Sequence, residues 1–341
     1  MIDFRSDTVT QPTVKMRQAM LDARVGDDVY EDDETVKILE HQAAQLLKKK
    51  AALFVPSGTM GNQIAIMTHT QRGDEIIVGR HSHIKTYEVG ATAVLSGVSF
   101  HPVKENRGML DLNEVTEGIR SDNIHFPTTR LICLENAHGH GQVGSLESMA
   151  QIHQLAQRHT IAVHLDGARL FNAAVHLNVD PAHIAQSADS IMFCLSKGLA
   201  SPIGSLLVGD ETFIQKARKY RKMLGGGMRQ VGVLAAPGLI ALNEMRLRLN
   251  EDHDNARFLA HSLNDINGFT VNMDALDINM VFVKVAWEAQ PFHQAMQEAG
   301  FLLGGYKGDE MRLVCHYDIK RKDIERFIEV VKAYVLKQTK A

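Results

Sequence analysis

Ser190-Ile191-Met192-Phe193-Cys194-Leu195-Ser196-Lys197-Gly198 decides how this chain is read. Apolar residues 191–195 run into a polar, glycine-containing turn, and a lysine stands just past the run. A short apolar run bounded by turn residues reads as a buried strand. In α/β folds, ligand chemistry gathers where loops leave the carboxyl ends of strands. A lysine at a half-desolvated strand end loses its proton readily and can act as a nucleophile. The competing reading is a loop lysine in solvent, and the rest of the chain has to choose between them.

Outward from this stretch, further strands are expected at 52–55, 75–78, 130–134, 161–165 and 204–209. Helical periodicity separates several of them. Val36, Leu39, Ala43, Leu46 and Leu47 form one stripe that closes on Lys48, Lys49 and Lys50, and a further helix is expected at 146–159. Strands alternating with helices predict an α/β fold with a mainly parallel sheet. Val14, Met16, Met20 and Ala23 line a helix face that Gly26 stops, and residues 26–33 form an acidic turn. A long helical segment is expected over 231–263, then strands at 280–285 and 311–315, then a last helix carrying Ile324, Phe327, Ile328, Val331 and Val335. The expected division is an N-terminal segment (1–25) packing with the small domain, a large domain (26–244) and a small α+β domain (245–341).

Composition is that of an ordinary globular chain, with 45% apolar and 23% charged residues and a formal charge of −3. That charge gives no footprint for nucleic acid. No apolar run reaches the roughly 18 residues of a membrane helix. Cys133, Cys194 and Cys315 form no CxxC pair and read as small buried hydrophobes. With no signal-peptide pattern at the start, a cytoplasmic protein is expected.

Three polar signals fall at strand ends: the turn Ser57-Gly58-Thr59, Asp166 with Arg169, and Lys197. A strand, a small polar glycine turn and a helix suit a phosphate, because the first amides of a helix point outward. The turn matches neither GxGxxG nor the Walker pattern. Pyridoxal phosphate needs all three features: an amine for its aldehyde, donors for its phosphate and a carboxylate for its ring nitrogen. Taken singly, each signal has a structural alternative: a helix cap at the turn and at Asp166, and a surface ion pair at Arg169. His81-Ser82-His83 lacks a third ligand at matching spacing, so no metal is expected.

On these residues the chain resembles the threonine aldolases, low-specificity L-threonine and L-allo-threonine enzymes of the aspartate-aminotransferase-like (fold type I) pyridoxal-phosphate family. The resemblance rests on Phe4-Arg5-Ser6-Asp7-Thr8-Val9-Thr10, Gly26-Asp27-Asp28-Val29-Tyr30, Phe54-Val55-Pro56-Ser57-Gly58-Thr59-Met60, and Leu165-Asp166-Gly167-Ala168-Arg169-Leu170-Phe171-Asn172-Ala173. Leu195-Ser196-Lys197-Gly198-Leu199, Gly204-Ser205-Leu206-Leu207-Val208-Gly209 and Gly225-Gly226-Gly227-Met228-Arg229-Gln230 complete it. It implies a sheet of the seven-stranded type, retro-aldol cleavage to glycine and acetaldehyde, and a homotetramer built as a dimer of dimers. Lys197 would bond the cofactor, Asp166 its ring nitrogen and Ser57, Gly58 and Thr59 its phosphate, with Arg169 also beside the cofactor. His83 would stack on the ring and, with His125, lie near the substrate's β-hydroxyl. Lys222 and Arg229 would reach a phosphate across a subunit interface. Ser6, Arg169 and Arg312 would grip the substrate carboxylate, and Tyr30 and Tyr87 would line the pocket. Ala137 and Gly139, where many relatives have Thr and Asn, and Cys315, where many have Thr, are expected to touch fine specificity. Another lyase, racemase or aminotransferase on the same cofactor, or a non-enzymatic binder, remains the alternative.

Overall fold

The structure, a computed structural model, describes residues 1–307 and 309–338. Its centre is a seven-stranded sheet. In chain order the strands are β1 (Ala51–Val55), β2 (Glu75–Gly79), β3 (Ser99–Val103), β4 (Thr129–Glu135), β5 (Ala162–Asp166), β6 (Ser190–Cys194) and β7 (Ser205–Gly209). They lie in the order β1-β7-β6-β5-β4-β2-β3. β7 runs antiparallel to both its neighbours, and every other neighbouring pair is parallel. Six carboxyl ends therefore share one edge.

Helices cover both faces, which explains why the strands read as unbroken apolar runs. Side chains still alternate. Phe54, Ile191, Phe193, Leu206 and Val208 belong to one core, while Leu53, Val55, Met192, Cys194 and Leu207 belong to another. Helix α1 (Val14–Leu21) packs Met16 into the first core, and α2 (Glu34–Leu46) adds Val36 and Leu39. Helix α3 (Gly58–His69) contributes Ile64 and Ala65 to the second. It starts inside the Ser57-Gly58-Thr59 turn, because the Ser57 hydroxyl accepts from the Met60 amide and caps it there.

The expected helix over 231–263 is broken. It runs from Gly232 to Asn243, turns through Met245–Arg248 and resumes over Leu249–Asn264. Ile240 faces the first core and Leu259 a separate one, so the chain must change direction between them. That separate core lies against a four-stranded sheet of Phe269–Val271, Met280–Val285, Glu310–Val314 and Tyr306–Lys307. The N-terminal segment divides between the two. Ile2–Asp3 pairs with Phe301–Leu302, and the Phe4 ring lies 5.0 Å from Phe327, whereas α1 belongs to the large core. All three cysteines are free and buried.

The acidic turn is less solvated than its composition suggests. Asp33 is fully buried and accepts from the amides of Val36 (3.1 Å), Gly232 (2.8 Å) and Gly26 (3.3 Å). Asp28 is buried against Arg221. The substitution Asp33→Ala removes a helix cap and strands these donors, so unfolding free energy should fall by about 2–4 kcal/mol in a urea titration.

Candidate active site

At the shared edge, five of the six parallel strands hand over one polar group each. Ser57 follows β1, His83 follows β2, Glu135 ends β4, Asp166 ends β5 and Lys197 follows β6. A cleft of about 320 Å³ is lined by Ser57, Gly58, Thr59, Asn62, His83, Asp166 and Lys197. The amides of Gly58 and Thr59 open helix α3, where no earlier turn can accept from them. Gly58 lets the backbone come close there, since a Cβ would sit 3.0 Å from the Cys194 sulfur.

Asp166 is 1% exposed. Its carboxylate accepts from Asn62 Nδ2 (2.8 Å) and the Ala168 amide (3.0 Å), and no cation pairs with it among the described residues. Lys197 Nζ likewise has no bonded partner among them, but the backbone oxygen of Lys197 accepts from Thr10 Oγ1 and the Ala200 amide. His83 Nδ1 lies 3.0 Å from the buried Glu88 carboxylate. That bond outweighs partial burial and raises the His83 pKa above its ordinary value. It also leaves Nε2 as the ring's other face. His83, Glu88 and Asp166 offer ligand atoms within 4.8 Å of one another, but Asn62 donates to both carboxylates and so occupies that space with hydrogen bonds.

A second group adjoins the cleft. Asp7 is fully buried and bonds Arg169 through two oxygens, one at 2.8 Å from Nε. Burial pushes its carboxyl upward, but Arg169, with Lys197 and Arg312 nearby, holds it well below the usual carboxylate range. Arg312 is partly buried, senses Arg169, Asp7 and Tyr87, and has no acceptor among the described residues. Burial and Arg169 lower its pKa. Tyr87 lies 5.6 Å from the His83 ring, and Ser6 Oγ is 3.5 Å from Asp7.

Four expected site residues lie away from both the cleft and this adjoining group. His125 is exposed in the loop before β4, at the amino end of that strand. Seven strand residues, about 20 Å, separate it from the carboxyl edge. Tyr30 is exposed, Arg229 pairs with Asp27 at 2.9 Å, and Lys222 lines a different open cleft with Arg218 and Glu40. Arg169 is already held by Asp7, so Arg312 is the arginine left open to an anion. Ala137 lies in the first core and Cys315 in the core of the four-stranded sheet rather than on the cleft, and Gly139 gives its amide to Glu135. Asp7, Asn62, Glu88 and Glu135 escaped sequence reasoning, since each is one ordinary polar residue until the sheet edge gathers it. Asp7 stood inside the motif Phe4 to Thr10, and that was its only signal.

The sequence profile of the beta-eliminating lyase family matches residues 3–286. The chain belongs to this family. A low-specificity L-threonine aldolase of Arabidopsis thaliana is 44% identical over 95% of this chain and 93% of its own length. The Escherichia coli K12 low specificity L-threonine aldolase is 43% identical over 95% of this chain and 96% of its own. A Leishmania major threonine aldolase structure superposes with a TM-score of 0.85 at 21% identity, covering 98% of this chain and 100% of that one. At that identity the likeness speaks for the fold.

Asp7→Asn should leave a buried Arg169 uncompensated and cost about 3–5 kcal/mol of stability at neutral pH. The folded carboxyl is depressed, so its stabilisation is complete above the ordinary aspartate pKa of about 3.9 and is lost as pH falls toward the folded value. The difference in urea midpoint between wild type and variant should persist from pH 5 to 8 and close below about pH 4.

Proposed function

We propose that this chain is a pyridoxal-phosphate-dependent aldehyde lyase that cleaves L-threonine and L-allo-threonine to glycine and acetaldehyde. One observation carries it. Lys197, Asp166 and the amino end of α3 line a single cleft, with Arg312, unpaired among the described residues, beside the Asp7–Arg169 pair. Asp166 is a buried carboxylate with no cationic partner among the described residues, and a protonated ring nitrogen would satisfy it. The cleft volume suits a small ligand. The close relatives named as threonine aldolases support the choice of reaction.

When bound, pyridoxal phosphate supplies an electron sink for the pair left at Cα as the Cα–Cβ bond breaks. The chain's own groups do the rest. Lys197 holds the cofactor, Ser57, Gly58 and Thr59 receive its phosphate, and Asp166 keeps its ring nitrogen protonated. Arg312 takes the substrate carboxylate in its planar fork, while Arg169, fixed by Asp7, and Ser6 complete the grip. His83 has Nδ1 committed to Glu88, so Nε2 can take the β-hydroxyl proton directly or through water. Tyr87 walls the His83 side.

His125, Tyr30, Lys222 and Arg229 enter a site only from a second copy of the chain. That fits a homotetramer, a dimer of dimers, and the exposed Val29, Val89, Val94 and Ile124 suit such contacts. We read residues 26–244 as the cofactor domain and 245–341 as the small domain, with 1–25 bridging both. The free cysteines suit the cytoplasm, and no described helix is long and apolar enough to cross a membrane. The family's description raises β-elimination as a second reading.

Incubation with either threonine isomer should yield glycine and acetaldehyde. Ammonia and a 2-oxo acid would favour β-elimination, and accumulating pyridoxamine phosphate without aldehyde would favour transamination. Lys197→Ala should abolish the cofactor's visible absorption band, and retention of the band after dialysis would assign the wrong lysine. Arg312→Ala should raise KM for threonine about 10–100-fold with little change in cofactor affinity, as for a lost charged hydrogen bond.

A basic His83 must be neutral, and its pKa is raised. The acid limb of kcat/KM should therefore lie above the ordinary histidine value of about 6.5. Glu88→Gln removes the charge that raises it, so the limb should move to lower pH.

A further inference from the structure

Beneath helix α3, fully buried polar side chains run along the sheet. His164 and Asp166 are two apart on β5, and Ser190 opens β6, all on the face that α3 covers. Asn62, on α3, reaches down to them. Its Nδ2 is 2.8 Å from Asp166 Oδ2 and 2.8 Å from Glu88 Oε1. Its Oδ1 is 3.1 Å from His164 Nε2. His164 Nδ1 is 2.9 Å from Ser190 Oγ, which is 2.8 Å from His69 Nε2.

The chemistry gives this chain one direction. Two carboxylate oxygens can only accept, so Asn62 must turn its NH2 toward them, one hydrogen to each. Its carbonyl then faces His164, whose Nε2 must carry the proton. His164 Nδ1 is left as an acceptor, so the Ser190 hydroxyl donates to it. Ser190 Oγ in turn accepts from His69, which is an Nε2–H tautomer as well. Each donor points toward the cleft. The reverse orientation would set the Asn62 oxygen against two carboxylates.

We propose that Asn62 is a positioning residue whose amide, turned by the two carboxylates, holds Asp166 and Glu88 side by side, and that His164, Ser190 and His69 form the row of donors that satisfies its carbonyl in that orientation. This deepens the proposed function, since it rests on Asp166 serving the cofactor's ring nitrogen. It links the group under the ring nitrogen to the group that sets His83. Burial pushes His164 down to about 3 and His69 down to about 4, so both rings stay neutral and the polarity of the chain holds at neutral pH. The amide ends any path for protons, so the row orients donors and carries no proton.

The test uses the full-length chain labelled with 15N-histidine, with and without pyridoxal phosphate. His164 and His69 should both appear as neutral Nε2–H tautomers from pH 8 to about 5. An Nδ1–H His164, turned to the Ser190 carbonyl, would overturn the proposal. Asn62→Ala should weaken pyridoxal phosphate binding about 10–100-fold in a fluorescence titration, the loss expected for hydrogen bonds to charged groups. Asn62→Asp, adding a third carboxylate, should weaken it further. Ser190→Ala, remote from the cleft, strands His164 Nδ1 and His69 Nε2, so it should lower the melting temperature and cost less affinity than Asn62→Ala, with His164 still an Nε2–H tautomer. Wild-type affinity in Asn62→Ala would also overturn the proposal. Should that variant fail to fold, the wild-type tautomers and Ser190→Ala still decide. A wild-type chain that does not bind pyridoxal phosphate would sink the proposed function instead, and the tautomers would still report on the row.

Discussion

Three buried carboxylates, Asp166, Glu88 and Glu135, meet at the carboxyl edge of one sheet, and the site is built around keeping them there. An unpaired buried carboxylate is costly, and like charges side by side are more so. Each is met by fixed donors. Asn62 serves Asp166 and Glu88 together, Gln63 takes the other Glu88 oxygen at 2.6 Å, and the amides of His83 and Gly139 serve Glu135 at 2.7 and 2.8 Å. Burial still raises the Glu135 pKa. These bonds fix the loops after β2 and β4, because their backbone amides are the donors. The placing of His83 is therefore a consequence of charge satisfaction as much as of the strand before it.

The N-terminal segment solves a related problem on the other side of the cleft. Phe4 anchors it in the core of the four-stranded sheet and Met16 in the first core, so residues 6–10, wound into a short 3-10 turn over Asp7–Val9, cross between the two at the sheet edge. Asp7 meets Arg169 there, and Thr10 bonds the Lys197 carbonyl at 3.0 Å. A segment far from the lysine in sequence thus holds the lysine's backbone. Because Asp7 is bonded to Arg169, Arg312, in a partly buried place, has no acceptor of its own among the described residues. Such a guanidinium is a natural receptor for a carboxylate.

Much of this was legible before the fold was known. β1, β2, β4, β5, β6 and β7 announced themselves as short apolar runs, since a strand buried on both faces has no polar side to show. Lys197, Asp166 and the Ser57 turn were legible because each directly follows such a run. β3 was not, because Ser99-Phe100-His101-Pro102-Val103 is an edge strand with mixed exposure and a proline. The break near Glu244 was missed because the apolar Gly232–Asn243 and the amphipathic Leu249–Asn264 both read as helix, and no glycine or proline marks residues 244–248. Only their burial in different cores shows that the direction changes.

The sequence by itself determined the fold class, the buried strands and the strand-end groups that mark a cofactor site. Those follow from local hydrophobic periodicity and turn chemistry, which are carried within a few neighbouring residues. Tertiary structure alone decided which polar residues face one another. Asn62 between Glu88 and Asp166, Asp7 on Arg169 and the isolation of Arg312 all depend on segments tens to hundreds of residues apart meeting at one sheet edge. It also decided that His125 lies at the far end of its strand, a matter of strand direction that residue identity does not encode.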